Sequence, residues 1–359
     1  MIYFDHNATS APRPHVLEAA LPFYREHWAN PASTHSGARK PAEALESARS
    51  RLAEWGGVRA RDVVFTSGAT EANHLALRGC RPEGRDGLAV SAVEHPSVLV
   101  PASEMNAHVM GVDSQGILDL DALDAALASG VGLVSVMASN NETGVIQPLS
   151  EIHARTHAAG ALLHVDAAQY AGRMPMVYDW DLMTISGHKA GGLKGAGALL
   201  VRQGVPLRAQ QLGGDQERGR RAGTVDVAPI VAMVEAVCEL WPDMSDLRDA
   251  LQKSAVALGA KVSGLGAPRL SNTLHVRFDG LPGDALVMGL DLNGVCASTG
   301  SACSSGASNP SHVLEAMGMD GRSGLRLSLG WNSTKAEVEA ATEALNRVVA
   351  AHRDALEVL

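Results

Sequence analysis

No apolar run in the sequence approaches the roughly 20 residues needed to cross a bilayer; the longest, such as Val131 to Ala138, fall far short. Met1 is followed by Tyr3 and Asp5 rather than by a basic segment, so neither a membrane span nor a secretory signal is expected. Positive charge is in deficit, with 30 basic against 39 acidic side chains and a formal charge of −9. That balance excludes the electrostatic footprint of a nucleic-acid or anionic-membrane binder. Cysteine is scarce: Cys80, Cys238, Cys296 and Cys303 form no CxxC pair and no metal-ligand spacing with the histidines, so neither a disulfide scaffold nor a metal site is expected. A reducing cytoplasm is the expected location. Lysine is also rare, limited to Lys40, Lys189, Lys194, Lys253, Lys261 and Lys335, which leaves few candidates for amine chemistry.

What is present is an ordinary core-forming composition, 46% hydrophobic over 359 residues. Short apolar runs at Val63 to Phe65, Leu88 to Ala92, Val131 to Ala138, Leu162 to Val165, Leu182 to Ile185 and Ala198 to Val201 alternate with helical patterns such as Ala42 to Trp55 and Leu149 to Ala159. This rhythm predicts an α/β fold with a mostly parallel sheet in a large domain, residues 15–245. From about Met244 the pattern predicts a smaller α+β domain, residues 1–14 and 246–359, with strands at Thr273 to Phe278, around Val295 and at Leu325 to Leu329. The closing helix opens on Thr334-Lys335-Ala336-Glu337, where threonine and glutamate can cap each other's backbone donors.

Ligands of open α/β sheets bind beyond the carboxyl ends of strands. Thr66-Ser67-Gly68-Ala69-Thr70-Glu71 follows one such end and reads either as a phosphate cradle at a helix start or as an ordinary capped helix. Asp166, with Gln169 three residues on, leaves a second strand; it can cap a helix or pair with a cationic ring nitrogen. Ser186-Gly187-His188-Lys189 follows a third, and a lysine in that glycine-rich exit is either a solvated loop residue or an amine able to form a Schiff base. No GxxxxGK[ST] and no GxGxxG after an early strand is present, which disfavours P-loop NTPases and Rossmann dehydrogenases. His95 ends a fourth run, placed to cover a ring or transfer a proton, and Asn140-Asn141-Glu142-Thr143-Gly144 offers an amide or makes a turn. Cys303, in Ser298-Thr299-Gly300-Ser301-Ala302-Cys303-Ser304-Ser305-Gly306, is expected to be accessible, mobile and nucleophilic, whereas Cys238 and Cys296 are expected to be buried and structural.

Together, from Tyr3-Phe4-Asp5-His6-Asn7-Ala8-Thr9 to Arg326-Leu327-Ser328-Leu329-Gly330, these segments resemble the cysteine desulfurases of the class V aminotransferase family. Gly300-Ser301-Ala302-Cys303, extended before Asn309-Pro310-Ser311-His312, is similar to the long-loop group of the nitrogenase and iron–sulfur-cluster assembly enzymes. The resemblance implies a PLP-dependent transferase of fold type I, with pyridoxal 5'-phosphate (PLP) as cofactor. It makes Lys189 the Schiff-base lysine and Cys303 and His95 its catalytic companions. Ala69, Thr70, Ser186 and His188 become phosphate-side contacts, Asp166 the ring-nitrogen partner, and His95 the group stacked on the ring. Gln169 and Asn141 would face the ring hydroxyl and the substrate, and Arg326 the carboxylate of L-cysteine. Gly213 to Thr224 matches a segment whose threonine reaches the neighbouring subunit's phosphate, so Thr224 implies a homodimer. The implied reaction converts L-cysteine to L-alanine and leaves a persulfide on Cys303 for a sulfur-acceptor protein, foremost in iron–sulfur cluster assembly. Alternatives are tRNA thiolation, molybdenum-cofactor sulfuration, selenocysteine lyase or transaminase chemistry, and a cofactor-free sulfur relay. His6, Ser10 and Asp215 depart from the family pattern, and the chain stops at Leu359 without the C-terminal extension of longer assembly enzymes, which leaves the acceptor open.

Overall fold

The computed structural model describes residues 1–80, 82–176, 179–300 and 310–357. After the short strand β1 (Ile2–Tyr3), seven strands build the central sheet: β2 (Val63–Thr66), β3 (Gly87–Ser91), β4 (His108–Met110), β5 (Val131–Met137), β6 (Leu162–Asp166), β7 (Leu182–Ser186) and β8 (Gly197–Val201). Their spatial order is β2-β8-β7-β6-β5-β3-β4, and only β8 runs antiparallel to its neighbours. All six expected strands form, each within a residue at either end. β5 is buried along its whole length, as a strand covered on both faces must be.

Alternate side chains feed two cores. Val63 and Phe65 enter one with Ile152, Trp180 and the helix Val227–Val237, while Val64 enters the other with Leu75, Val98 and Leu199. A separate core gathers Phe4 with residues 244–349, around β9 (Lys261–Val262), β10 (Thr273–Arg277) and β12 (Gly324–Ser328), which pair antiparallel in the order β12-β10-β9. The helix Lys335–Glu357 closes this core, and its cap forms as expected: Thr334 N–H donates to Glu337 Oε2 at 2.8 Å and Glu337 N–H to Thr334 Oγ1 at 3.3 Å. β1 lies parallel to β11 (Val295–Cys296), so the start of the chain is stitched to its last third.

The cysteines depart from expectation. Cys238 and Cys296 are only half-buried, because Cys238 caps the end of a surface-reaching helix and Cys296 sits in a two-stranded edge pair. Cys80, unassigned from sequence, is the buried one, at 1% exposure among Leu75, Ala76 and Val201.

Candidate active site

Three parallel strands run in register: Met137 of β5 stands beside Asp166 of β6, which stands beside Thr184 of β7. Beyond them opens a cavity of about 460 Å³. It gathers Ala69, Thr70, His95, Asn141, Asp166, Gln169, Ser186, His188, Lys189 and Arg326 from segments spread over more than 250 positions. Thr224 is exposed and does not line it. Cys303 lies outside the described residues. Gly300 on one side of that stretch lines the cavity, and Ser311 and His312 on the other are tied to neighbours of its lining residues Asn141 and His95: Ser311 Oγ to Glu142 Oε2 at 2.5 Å, His312 Nε2 to the Glu94 carbonyl at 2.9 Å.

At one end the helix Ala69–Gly79 starts behind Gly68, which offers no side-chain cap, so its first-turn N–H groups border the cavity beside Ser186 and Lys194. Unpaired donors and the positive end of a helix dipole make an anion seat. β8 packs tightly beneath it: a Cβ on Gly197 would stand 2.5 Å from the Gly68 carbonyl carbon, so only glycine fits there. His188, pushed down to about 4 by burial and by Lys189, stays neutral near this seat and meets Thr9 Oγ1 at 3.1 Å.

At the other end the Asp166 carboxylate is buried, accepting from Asn73 Nδ2 at 2.8 Å and from Ala168 N–H at 2.9 Å. Asn73 Nδ2 also donates to Ser97 Oγ at 2.9 Å, and Ser97 meets His95 Nδ1 through its hydroxyl at 2.8 Å and its N–H at 3.1 Å. A backbone N–H can only donate, so Nδ1 is an acceptor and the neutral ring carries its hydrogen on Nε2. His95 Nδ1 is thus occupied as an acceptor. Burial lowers its pKa against the opposing pull of Asp166. Next to it Glu94 is fully buried, accepts Met137 N–H at 2.5 Å, and is raised well above the usual carboxylate range by burial and by Asp166.

Lys189 Nζ donates to the carbonyls of Asn7 at 2.7 Å and Ala8 at 2.8 Å. Behind it Arg173 joins Asn7 Oδ1, Gln169 Oε1 and the carbonyls of His6 and Lys189, and stacks 4.6 Å from the Trp241 ring. Burial pulls Arg173 down to about 9, with Arg326 adding to the effect. Gln169 donates to the Asn7 carbonyl at 2.9 Å, so it braces this network as well as lining the cavity. Arg326, 3% exposed, reaches Asp5 Oδ1 at 2.6 Å and the Asn141 carbonyl at 2.9 Å, while its buried Nε has no partner among the described residues. Sequence reasoning missed Asn73, Glu94 and Arg173. Asn7 stood in the quoted opening segment without a role, and Glu94 sat beside His95 as the only signal for itself.

The aminotransferase class-V family model matches residues 2–341. A cysteine desulfurase of Cereibacter sphaeroides is 40% identical over 97% of this chain and 95% of its own length. Among solved structures, a NifS-like protein superposes with a TM-score of 0.90 at 32% identity, covering 97% of this chain and 99% of its own. SspA in complex with cysteine superposes at 0.82 with 30% identity, over 92% of this chain and 99% of its own. The fold, the strand-end cavity and a match along nearly the whole length agree: the chain belongs to the class-V aminotransferase family.

Proposed function

We propose that this chain is a PLP-dependent cysteine desulfurase that converts L-cysteine to L-alanine and receives the sulfur on Cys303 as a persulfide. The observation that carries the reading is the convergence, in one cavity, of an uncapped helix start, a buried carboxylate and a lysine amine at a strand exit. These fit the cofactor's three demands: donors for a dianionic phosphate, a carboxylate for a pyridinium nitrogen, and an amine for an aldehyde. When bound, PLP supplies the electron sink for the substrate's Cα.

The chain's own residues do the rest. Arg326, its fork already oriented by Asp5 and the Asn141 carbonyl, offers the buried cation for the substrate carboxylate. Lys189, hydrogen-bonded by two carbonyls, is the group that takes and returns the Cα proton. The Asn73–Ser97–His95 chain fixes the imidazole in the cavity lining through its Nδ1. The Cys303 thiolate attacks the substrate sulfur: the Cβ–S bond breaks, an S–S bond forms, and a proton completes alanine. The place of Gly300 in the lining, and the ties of Ser311 and His312 to residues adjoining it, support a role there for the segment they bracket. The exposed Thr224 hydroxyl, away from the cavity of its own chain, supports a homodimer in which it serves the other copy's phosphate. Iron–sulfur assembly in the cytoplasm is the proposed destination of the sulfur. No helix of the described residues is long and apolar enough to cross a membrane.

The deciding experiment is Cys303→Ser. It should still bind L-cysteine, seen as a change in the visible absorption of the cofactor, yet form almost no alanine and carry no persulfide by mass spectrometry. Normal turnover, or persulfide on Cys80, Cys238 or Cys296 in the unaltered enzyme, overturns the mechanism. Sulfur transfer to a panel of candidate scaffold and relay proteins identifies the acceptor.

A further inference from the structure

The proposed chemistry leaves unused a cluster of metal-ligating side chains at the opposite end of the sheet. His153 and His157 stand four residues apart on the helix Leu149–Ala158, and so share a face. Their rings pack with centroids 3.9 Å apart and planes inclined by 37°. Asp181, the residue before β7, is buried, with Oδ2 accepting Leu163 N–H at 2.7 Å and lying 2.8 Å from His157 Nε2. One ligand atom from each of the three lies within 4.8 Å of the others. Ser186, at the far end of the same strand, lines the cofactor cavity, so the five residues of β7 separate the two places by about 17 Å at ~3.3 Å per residue.

We propose that His153, His157 and Asp181 bind a divalent late first-row transition metal ion, Zn²⁺ foremost. Two imidazoles and one carboxylate are the donor set such borderline-soft ions select over Mg²⁺ or Ca²⁺, which take oxygen ligands. The arrangement is pre-organised. The helix fixes the histidine spacing, and the Leu163 N–H orients the carboxylate as outer contacts do in metal sites. A surface pair between His157 and Asp181 would by itself account for two of the side chains, but not for a second imidazole packed on the first. Asp179, held by Ser150 Oγ at 2.5 Å, and Arg202 are the other charges facing His153, with opposite signs. Water completes the coordination sphere. No spacing in the sequence marks the site, because Asp181 is 24 residues beyond His157 in the chain.

A metal here would clamp the helix to the segment entering β7, so its effect should appear in stability and leave turnover alone. The test is calorimetric titration of the holoenzyme with Zn²⁺ after its thiols have been blocked with iodoacetamide. The unaltered enzyme should take up one equivalent per chain at this site, and its Tm should rise with Zn²⁺ but not with Mg²⁺. His153→Asn and His157→Asn should each weaken uptake at least tenfold, and the double variant should lose the equivalent and the Tm response while keeping full activity before thiol blocking. Asp181→Asn should weaken binding too; because Asp181 also holds the Leu163 N–H, the histidine variants decide if that protein does not fold. Uptake unchanged in the double variant, or no Zn²⁺ bound by the unaltered enzyme, overturns the proposal.

Discussion

Asn73 donates to the Asp166 carboxylate at 2.8 Å from inside the helix that opens the anion seat, so one element serves both ends of the cavity. The same amide nitrogen reaches Ser97, which in turn holds His95. A single side chain thus couples the orientation of the carboxylate to that of the imidazole.

Asn73→Ala should therefore cost more than one hydrogen bond. Removing a donor from a buried carboxylate is worth roughly 1.5–3 kcal/mol, so kcat/KM for alanine formation should fall about tenfold to a hundredfold. Asn73→Asp, which sets a like charge against Asp166, should fall further. Steady-state kinetics on both variants, with cofactor content measured in parallel, checks the order.

Arg326→Lys keeps the charge and loses the fork. A lysine cannot contact Asp5, the Asn141 carbonyl and a substrate carboxylate in one plane, so KM for L-cysteine should rise at least tenfold, with a smaller change in kcat. An unchanged KM would place the carboxylate elsewhere.

Acid should destabilise the fold through histidines buried in the neutral form. His164, at 0% exposure between Ser135 Oγ at 2.8 Å and Thr184 Oγ1 at 3.0 Å, is pushed down to about 4 by burial. Below pH 6.5 the unfolded chain binds a proton that the native chain refuses, so this contribution is whole above 6.5 and is lost as the pH falls toward 4. It amounts to on the order of 3 kcal/mol. His6 and His188, also near 4, act in the same direction. Urea melts from pH 8 to 4.5 should show that slope, and His164→Gln should flatten it.

Glu94 has the opposite sign. Its folded pKa lies above the unfolded one, so the native state is favoured at low pH and loses that advantage as the pH rises from the usual carboxylate value through the raised one. Glu94→Gln keeps an acceptor for Met137 N–H and cannot ionise. Its stability relative to the unaltered protein should therefore grow with pH, whereas Glu94→Ala should cost about 1–3 kcal/mol throughout. Thermal melts at pH 5.5 and 8.5 separate the two.

The strands that carry the site were legible because their burial on both faces writes continuous apolar runs, and their ends expose Asp166, Lys189 and His95 immediately afterwards. β4, β9 and β1 were not: they are strands of two or three residues, none of them buried throughout, and nothing in their composition distinguishes them from loop. The supporting residues were illegible for another reason. Asn73 is one polar position within an amphipathic helix, and Arg173 follows a strand by several residues; only the tertiary fold turns them toward Asp166 and Asn7. Motif reading finds groups that face a ligand better than the groups that hold them.

The opening segment has a consequence for how the protein is made. Asn7 receives Gln169, Arg173 and Lys189 from the middle of the chain and reaches Thr273 and Ser328 in its last third. Asn7 thus depends on partners 266 and 321 positions further along the chain, and contacts of such sequence separation form slowly. On the ribosome, the sheet can assemble while the carbonyls destined for Lys189 are still unplaced. The Lys189 amine acquires the setting seen here only once the opening segment has docked against it.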